Sequence, residues 1–215
     1  MSGRAGGIAR ELRHHVPFTL FGAVTGVLIA AGMVALRAPQ ELSHDLFKVF
    51  HPLHVFFSAL VTAGLYKRNG KGTAWKLLLI GYFGAVGIGT LSDCLIPYLG
   101  ELLLGFENAH LHLGFIEHPF LVNGLALGGV VVAWRWPKTK APHAGHVLLS
   151  TWASLFHMTM ALGDGLSLLT ATLMVLVLFV AVWVPCCFSD IVFPMLFVGG
   201  PVRHEHEDGK EEPAD

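Results

Sequence analysis

The sequence predicts an all-α integral membrane protein in which six transmembrane helices form two inverted-topology three-helix repeats. Three observations predict this fold: an apolar composition, six long apolar runs, and three short motifs that recur in the same order. Of the 215 residues, 53% are hydrophobic and only 13% are charged, whereas soluble domains carry about 25% charged residues. The net charge of −1 at neutral pH offers no broad basic face, so we expect no nucleic-acid partner.

Six apolar runs approach the roughly 20 residues that a helix needs to cross a bilayer. After a polar N-terminal segment at 1–16, they lie at residues 17–36, 47–66, 76–98, 119–134, 144–163 and 166–184. The loop at 99–118 is predicted to lie along the outer membrane surface. The acidic tail at 201–215 is typical of disordered chain.

The Lys and Arg residues predict the orientation. With the N-terminus inside, 12 of these residues fall on the inner side, and only Arg37 and Lys48 fall outside. Membrane proteins carry such an excess of positive charge on the cytoplasmic side. We therefore expect an integral protein of the plasma (inner) membrane with both termini in the cytoplasm. The first run lacks a clear cleavage site and is interpreted as a span, not as a signal peptide.

Three motifs recur between residues 17–98 and residues 119–200, which we interpret as the two repeats. They are Pro-Phe at Pro17 and Pro119, HxxHVxxS at His51 and His143, and SDxxxP at Ser92 and Ser189. The offsets of 102, 92 and 97 residues indicate loops of different length between matching landmarks. Because each unit has an odd number of spans, the second copy must be inverted, as in many transporters and channels.

Each HxxHVxxS motif places two histidines and a serine on one face of a helix, since its positions are i, i+3 and i+7. Each SDxxxP motif adds an aspartate, Asp93 or Asp190. A carboxylate inside a membrane span is costly unless it is paired, hydrated or bound to a cation. The proline four residues later lacks the N–H that would bond the aspartate's carbonyl, which frees one more oxygen.

Inversion predicts two related metal sites, one near each leaflet. The candidate ligands are His51, His54, Ser92, Asp93 and His157 on the outer side, and His143, His146, Ser189 and Asp190 on the inner side. Imidazoles with a carboxylate suit Zn²⁺ first, and also Fe²⁺ or Mn²⁺. Cys94, and Cys186 or Cys187, lie beside these sets and would make either site softer.

Structural interpretations of the same residues stay open. The histidines can be interfacial polar groups, and the aspartates can cap broken helix ends or pair with histidines without a metal. His157 has no counterpart in the other repeat and can be a hydrogen-bonded core residue. Cys94, Cys186 and Cys187 can be packed thiols. A bound metal can also serve only to tie helices together.

The leading functional hypothesis is a membrane transporter or channel for a divalent transition metal, because a permeation path benefits from a similar site at each end. The alternative is an intramembrane metal-dependent hydrolase, in which the outer set holds Zn²⁺ and activates a water, assisted by Ser58 or Ser92. A haem-b or quinone-linked electron carrier is a third hypothesis. The sequence favours a non-enzyme whose partners are the lipid bilayer and the metal ion, and it leaves a homo-oligomer open.

Overall fold

A computed structural model of the protein describes residues 2–69, 73–137, 140–163 and 165–188, together with Phe193 and Phe197. Among these residues every regular element is helical, which confirms the all-α prediction. The elements are α1 (Ser2–Ala35), α2 (Gln40–Asn69), α3 (Ala74–Thr90), a π-helical turn (Leu91–Leu95), α4 (Ile96–Leu104), α5 (Gly114–Glu117), α6 (Pro119–Arg135), α7 (Lys140–Ala161) and α8 (Leu168–Cys187).

Four of the described helices are long and apolar enough to cross a membrane. They are Val16–Ala35, Gln40–Arg68, Ala74–Leu104 and Leu168–Cys186. The remaining two long helices are α6, which is apolar but has only 17 residues, and α7, which has 22. These helices agree with insertion into a membrane, whereas six spans and an inverted repeat stay predictions.

The third apolar run forms a longer helix than the sequence predicted. The chain stays helical through the π-helical turn and α4. This helix is capped at its C-terminus by Gly105, whose φ of 71° is a left-handed conformation that glycine adopts most readily. Glu101 therefore lies in a helix and is fully buried, although we expected it in a surface loop at 99–118. The leucines around it extend the apolar face of the helix beyond residue 98.

The bundle is built around α2, which packs mainly against α7, α6 and α3. Its close approach to α6 depends on Gly129, because a Cβ there would overlap the carbonyl oxygen of Phe56 and lie 2.9 Å from the Cβ of Ala59. Such small residues let helices in membranes pack with their backbones close together. This packing turns the polar face of α2 toward α7.

Polar side chains lie inside this bundle and many large apolar ones lie outside. The fully or almost fully buried polar residues include His51, His54, Ser92, Asp93, Glu101, His146, Ser150, Ser154 and His157. Leu28, Phe83 and Leu168 are 66%, 60% and 86% exposed. Lipid requires this distribution, since apolar side chains face hydrocarbon at no cost whereas ionisable ones must find partners inside.

Candidate metal centre

Asp93 lies on the π-helical turn, and this turn has a cause in the sequence. The N–H of Ile96 bonds the carbonyl of Leu91, five residues earlier, instead of the carbonyl four residues earlier. Pro97 follows, and its ring has no N–H to donate to the carbonyl of Asp93 and would clash with it in a regular α-helix. The turn buries Ser92, Asp93 and Cys94 together. Single π-helical turns of this kind occur frequently at functional sites.

The Asp93 carboxylate holds the centre together with both of its oxygens. Its Oδ2 lies 2.9 Å from Nδ1 of His51 and 2.6 Å from Nδ1 of His54. Its Oδ1 accepts hydrogen bonds from Ser92 Oγ at 2.7 Å and from Ser150 Oγ at 2.8 Å. All five side chains are buried, and buried polar networks of this kind are strong when every member is satisfied. Three parts of the chain therefore meet on one carboxylate.

The ring of His51 is held on one face and at two edges, the first of which is the Nδ1 edge at Asp93. Phe47 stacks on it with ring centroids 5.1 Å apart and planes at 8°. Gly114 lies against its far edge, where a Cβ would come within 2.7 Å of Nε2. That Nε2 is buried and makes no hydrogen bond with the described residues. The carboxylate, the phenyl ring and the glycine together hold this imidazole in one orientation.

Two overlapping groups of buried side chains can hold a metal ion. The first is His51, His54 and Asp93, and the second is His54, His146 and Cys186; in each, one ligand atom per residue lies within 4.8 Å of the others. His54 belongs to both groups. Imidazole, carboxylate and thiolate ligands suit borderline transition metals better than Mg²⁺ or Ca²⁺, which prefer oxygen ligands throughout.

Described residues of the two expected clusters lie together. His146 and Ser150 belong to the second HxxHVxxS motif, yet they lie beside His54 and Asp93 of the first half. The physical reason is that α2 and α7 pack against each other, so the polar stripes of the two motifs face one another. The described residues thus form one continuous centre from both halves.

Three of the expected inner ligands are not described. His143 lies on α7, but its side chain is outside the described part of the structure, and Ser189 and Asp190 are outside it altogether. The second aspartate therefore stays a sequence prediction. Cys94 is buried in the apolar core beside Phe47 and Leu155, and it belongs to neither of the two metal-binding groups.

His157 does not join the centre at Asp93. Its Nδ1 lies 2.7 Å from Oε1 of Glu101, and its Nε2 accepts the backbone N–H of His112 at 3.3 Å. Phe47 separates it from the centre by contacting both His51 and His157. Sequence reasoning missed Glu101 as a site residue; its signal is a single carboxylate within the apolar stretch 95–104.

The chain matches no protein-family model, no curated protein and no solved structure. Function must therefore be inferred from the chemistry of the centre. A buried carboxylate with histidines and a cysteine around it can bind a metal ion, relay protons or tie helices together. These three roles differ in what they require of the surrounding helices.

Proposed function

We propose that this protein binds a divalent transition metal ion, with Zn²⁺ as the first candidate, at the centre around Asp93 and moves it across a membrane. The observation that carries this proposal is the meeting of His54 and His146, which hold the same position in the two HxxHVxxS motifs. Transporters built from inverted repeats place their substrate sites near the bilayer midplane, at the interface of the repeats. A centre between α2 and α7 agrees with that architecture.

The overlap of the two ligand groups supports movement of the ion. Because His54 belongs to both groups, an ion can pass between them by exchanging the remaining ligands while it keeps one histidine. A purely structural metal needs one closed set of ligands, as in Cys and His sites of fixed tetrahedral geometry. Two adjacent sets with a shared member favour transfer over a purely structural role.

The membrane arrangement that goes with this function has six spans and both termini in the cytoplasm of the plasma (inner) membrane. Its support is the positive charge of the predicted inner segments together with the apolar outer surfaces of the helices. On this arrangement α6 and α7 complete the second half of the bundle. Their place against α2 keeps the polar face of that helix away from lipid.

The test uses the full-length protein in liposomes that contain a zinc-sensitive dye. We expect the wild type to give zinc influx above that of empty vesicles. Asp93→Asn, which removes the carboxylate charge but keeps the shape of the side chain, should reduce the influx to that of empty vesicles. Asp45→Asn is the matched control, because Asp45 lies on the surface and pairs only with Lys48 among the described residues. Its influx should equal that of the wild type.

Elemental analysis of the same preparations separates binding from transport. If the wild type binds zinc, Asp93→Asn does not, and no influx exceeds that of empty vesicles, transport is rejected and a bound metal remains. Absence of zinc from a wild-type protein that was purified with zinc present would reject the metal centre itself. An Asp190→Asn variant adds the sequence-predicted second aspartate to the same comparison.

A metal-dependent hydrolase is the second candidate, and one observation favours it. The hydroxyl groups of Ser92 and Ser150 and the Nδ1 atoms of His51 and His54 all lie around one carboxylate. A single centre of this kind can hold Zn²⁺ and activate a water for attack on a lipid ester or amide. The test measures release of fatty acid from a fluorescent ester or amide lipid. Release that Asp93→Asn abolishes, with no zinc influx in the wild type, would support the hydrolase over the transporter.

A further inference from the structure

A second buried acid lies outside the centre at Asp93. Glu101 of α4 is 0% exposed, and its Oε1 lies 2.7 Å from Nδ1 of His157. Its other oxygen, Oε2, is buried and makes no hydrogen bond with any described residue. A buried carboxylate oxygen without a partner costs free energy unless a proton or a cation reaches it.

The partner histidine does not neutralise this carboxylate. The Nε2 of His157 accepts the backbone N–H of His112, so that nitrogen carries a lone pair and the ring proton lies on Nδ1. The ring is then neutral and donates its one N–H to Glu101. Among the described residues, Glu101 forms no ion pair with Lys or Arg. Neither His157 nor a described Lys or Arg therefore supplies a positive charge to Glu101, and its Oε2 is left for a proton or a cation to occupy.

Glu101 lines a cavity of about 220 Å³ that is rich in metal ligands. The polar residues of its wall are Gln40, Glu101, Asn108, His110, His112 and His157. Asn108 and His110 are exposed, so the cavity opens at the end of the bundle where α1 meets α2. A larger cavity of about 940 Å³ adjoins it and shares Gln40 and Asn108. Its wall carries two acids, Glu41 and Glu107, and one cation, Arg37, and this excess of negative charge attracts cations.

His112 connects this cavity to the surface, and Phe47 lies between the cavity and the centre at Asp93. His112 also belongs to a partly exposed group with His44 and Glu117, whose ligand atoms lie within 4.8 Å of one another. In the other direction, Phe47 contacts both His157 and His51. Glu101 thus lies between a surface group that can collect a cation and the buried centre at Asp93.

We propose that Glu101 anchors a second site for a divalent transition metal, with His110 or His112 as its imidazole ligand. His157 is a positioning residue, because both of its ring nitrogens are engaged and it holds the carboxylate in place, as supporting residues of metal sites do. The existence of this site is independent of the proposed transport. Its role as the place where the ion is loaded on the way to Asp93 rests on that function.

The test measures zinc bound per chain by full-length protein in detergent, using equilibrium dialysis and elemental analysis. We expect about two tightly bound equivalents for the wild type, one at the centre around Asp93 and one at the Glu101 site. The partly exposed group of His44, His112 and Glu117 should bind zinc more weakly. Glu101→Gln should lose one of the two tight equivalents. Asp93→Asn should lose the other equivalent and keep that of Glu101. Asp45→Asn, an exposed acid on α2, should keep both.

A second variant covers the case in which Glu101→Gln fails to fold. His157→Gln should keep both equivalents but weaken one of them roughly 10- to 100-fold, as loss of a supporting residue does. A purely structural role for His157 predicts a lower thermal midpoint with unchanged zinc affinity, so the zinc affinity is the measurement that separates the two roles.

The outcomes separate this inference from the proposed function. Suppose that the wild type binds a single equivalent of zinc, which Asp93→Asn removes and which Glu101→Gln or His157→Gln leaves unchanged. That result overturns the Glu101 site and leaves the centre intact. If Glu101→Gln loses one equivalent and Asp93→Asn binds as much zinc as the wild type, the Glu101 site is established and the metal centre at Asp93 is rejected. Two equivalents that survive in both Glu101→Gln and His157→Gln also overturn the inference.

Discussion

His54 and His146 face each other in the interior of the bundle, with ring centroids 5.5 Å apart and ring planes at 78°. They are the second histidines of the two HxxHVxxS motifs and come from α2 and α7. Their meeting joins the polar stripes of both halves into one centre. If both rings hold the same ion, their contributions to metal affinity must be coupled.

The coupling of these two histidines can be measured by a double-mutant cycle. Loss of a residue that supports a metal ligand lowers metal affinity roughly 10- to 100-fold. We expect His54→Ala and His146→Ala each to lower zinc affinity by at least that factor. The double variant should be little worse than either single one, because removing either histidine already breaks the coordination that the two share. Coupling of about 0.5–3 kcal/mol is typical of residues in one network. Competition with a chromophoric chelator measures the zinc affinities from which this coupling energy is calculated.

The control for this cycle pairs His54 with His118, which belongs to neither metal-binding group of the centre. His118→Ala should leave zinc affinity unchanged alone and in combination with His54→Ala. Additive losses for His54 and His146 would show that they do not hold one ion.

Ser150 tests whether the second half supports the Asp93 carboxylate. Ser150→Ala removes the hydrogen bond of 2.8 Å to Asp93 Oδ1 and should lower zinc affinity roughly 10- to 100-fold. Ser154→Ala is the matched control one turn away, because Ser154 donates only to the backbone carbonyls of Ser92 and Ser150 among the described residues. Isothermal titration with zinc compares the two; equal affinities would contradict a supporting role for Ser150.

Gly114 tests the fixed position of His51. A methyl group in Gly114→Ala would overlap the edge of the imidazole, 2.7 Å from its Nε2, and should push the ring away from Asp93. The backbone at Gly114 is outside the left-handed region, so the effect is steric. We expect weaker zinc binding, measured by titration, with the helices retained by circular dichroism. Gly163→Ala, where a Cβ meets no atom within 4 Å, should bind as the wild type does.

Gly129 tests the close contact of α6 with α2. In Gly129→Ala the new methyl would meet the carbonyl oxygen of Phe56 and the backbone nitrogen of Leu60, neither of which can move easily. Overpacking of this kind costs about 1–3 kcal/mol, so the thermal midpoint in detergent should fall. Gly124→Ala, on the same helix with open space around the new methyl, should leave the midpoint unchanged or raise it slightly.

Bound metal should also stabilise the folded chain. A ligand that binds only the folded state at 100 times its dissociation constant adds about 2.7 kcal/mol of stability. Zinc should therefore raise the thermal midpoint of the wild type, and a chelator should reverse the rise. Part of the rise should disappear in Asp93→Asn. The same rise in both proteins would place the stabilising zinc elsewhere.

Local sequence patterns predicted several features of the fold and site because those patterns act over one or two helical turns. The spacing of His51, His54 and Ser58 requires one helical face, and α2 buries all three. Pro97 predicted that the carbonyl of Asp93 lacks its usual helical hydrogen bond, and a π-helical turn lies there. In both cases the controlling geometry is set by residues fewer than eight positions apart.

The meeting of the two motifs could not be read in this way. That His146 lies beside His54 depends on which helices pack together, and contacts between residues 92 positions apart leave no local signal. Glu101 was missed for the same reason. Its helix continued to Gly105, and its partner His157 comes from α7, far along the chain.

By itself, the sequence determined an all-helical chain with membrane-like helices and polar stripes on α2 and α7, because helical period and hydrophobicity are local properties. Tertiary structure decided that those stripes face one another across Asp93, and that Glu101 and His157 form a pair beyond Phe47. The physical reason is that ionisable groups in an apolar bundle must find partners inside it. Which partners they find is set by the packing of the helices.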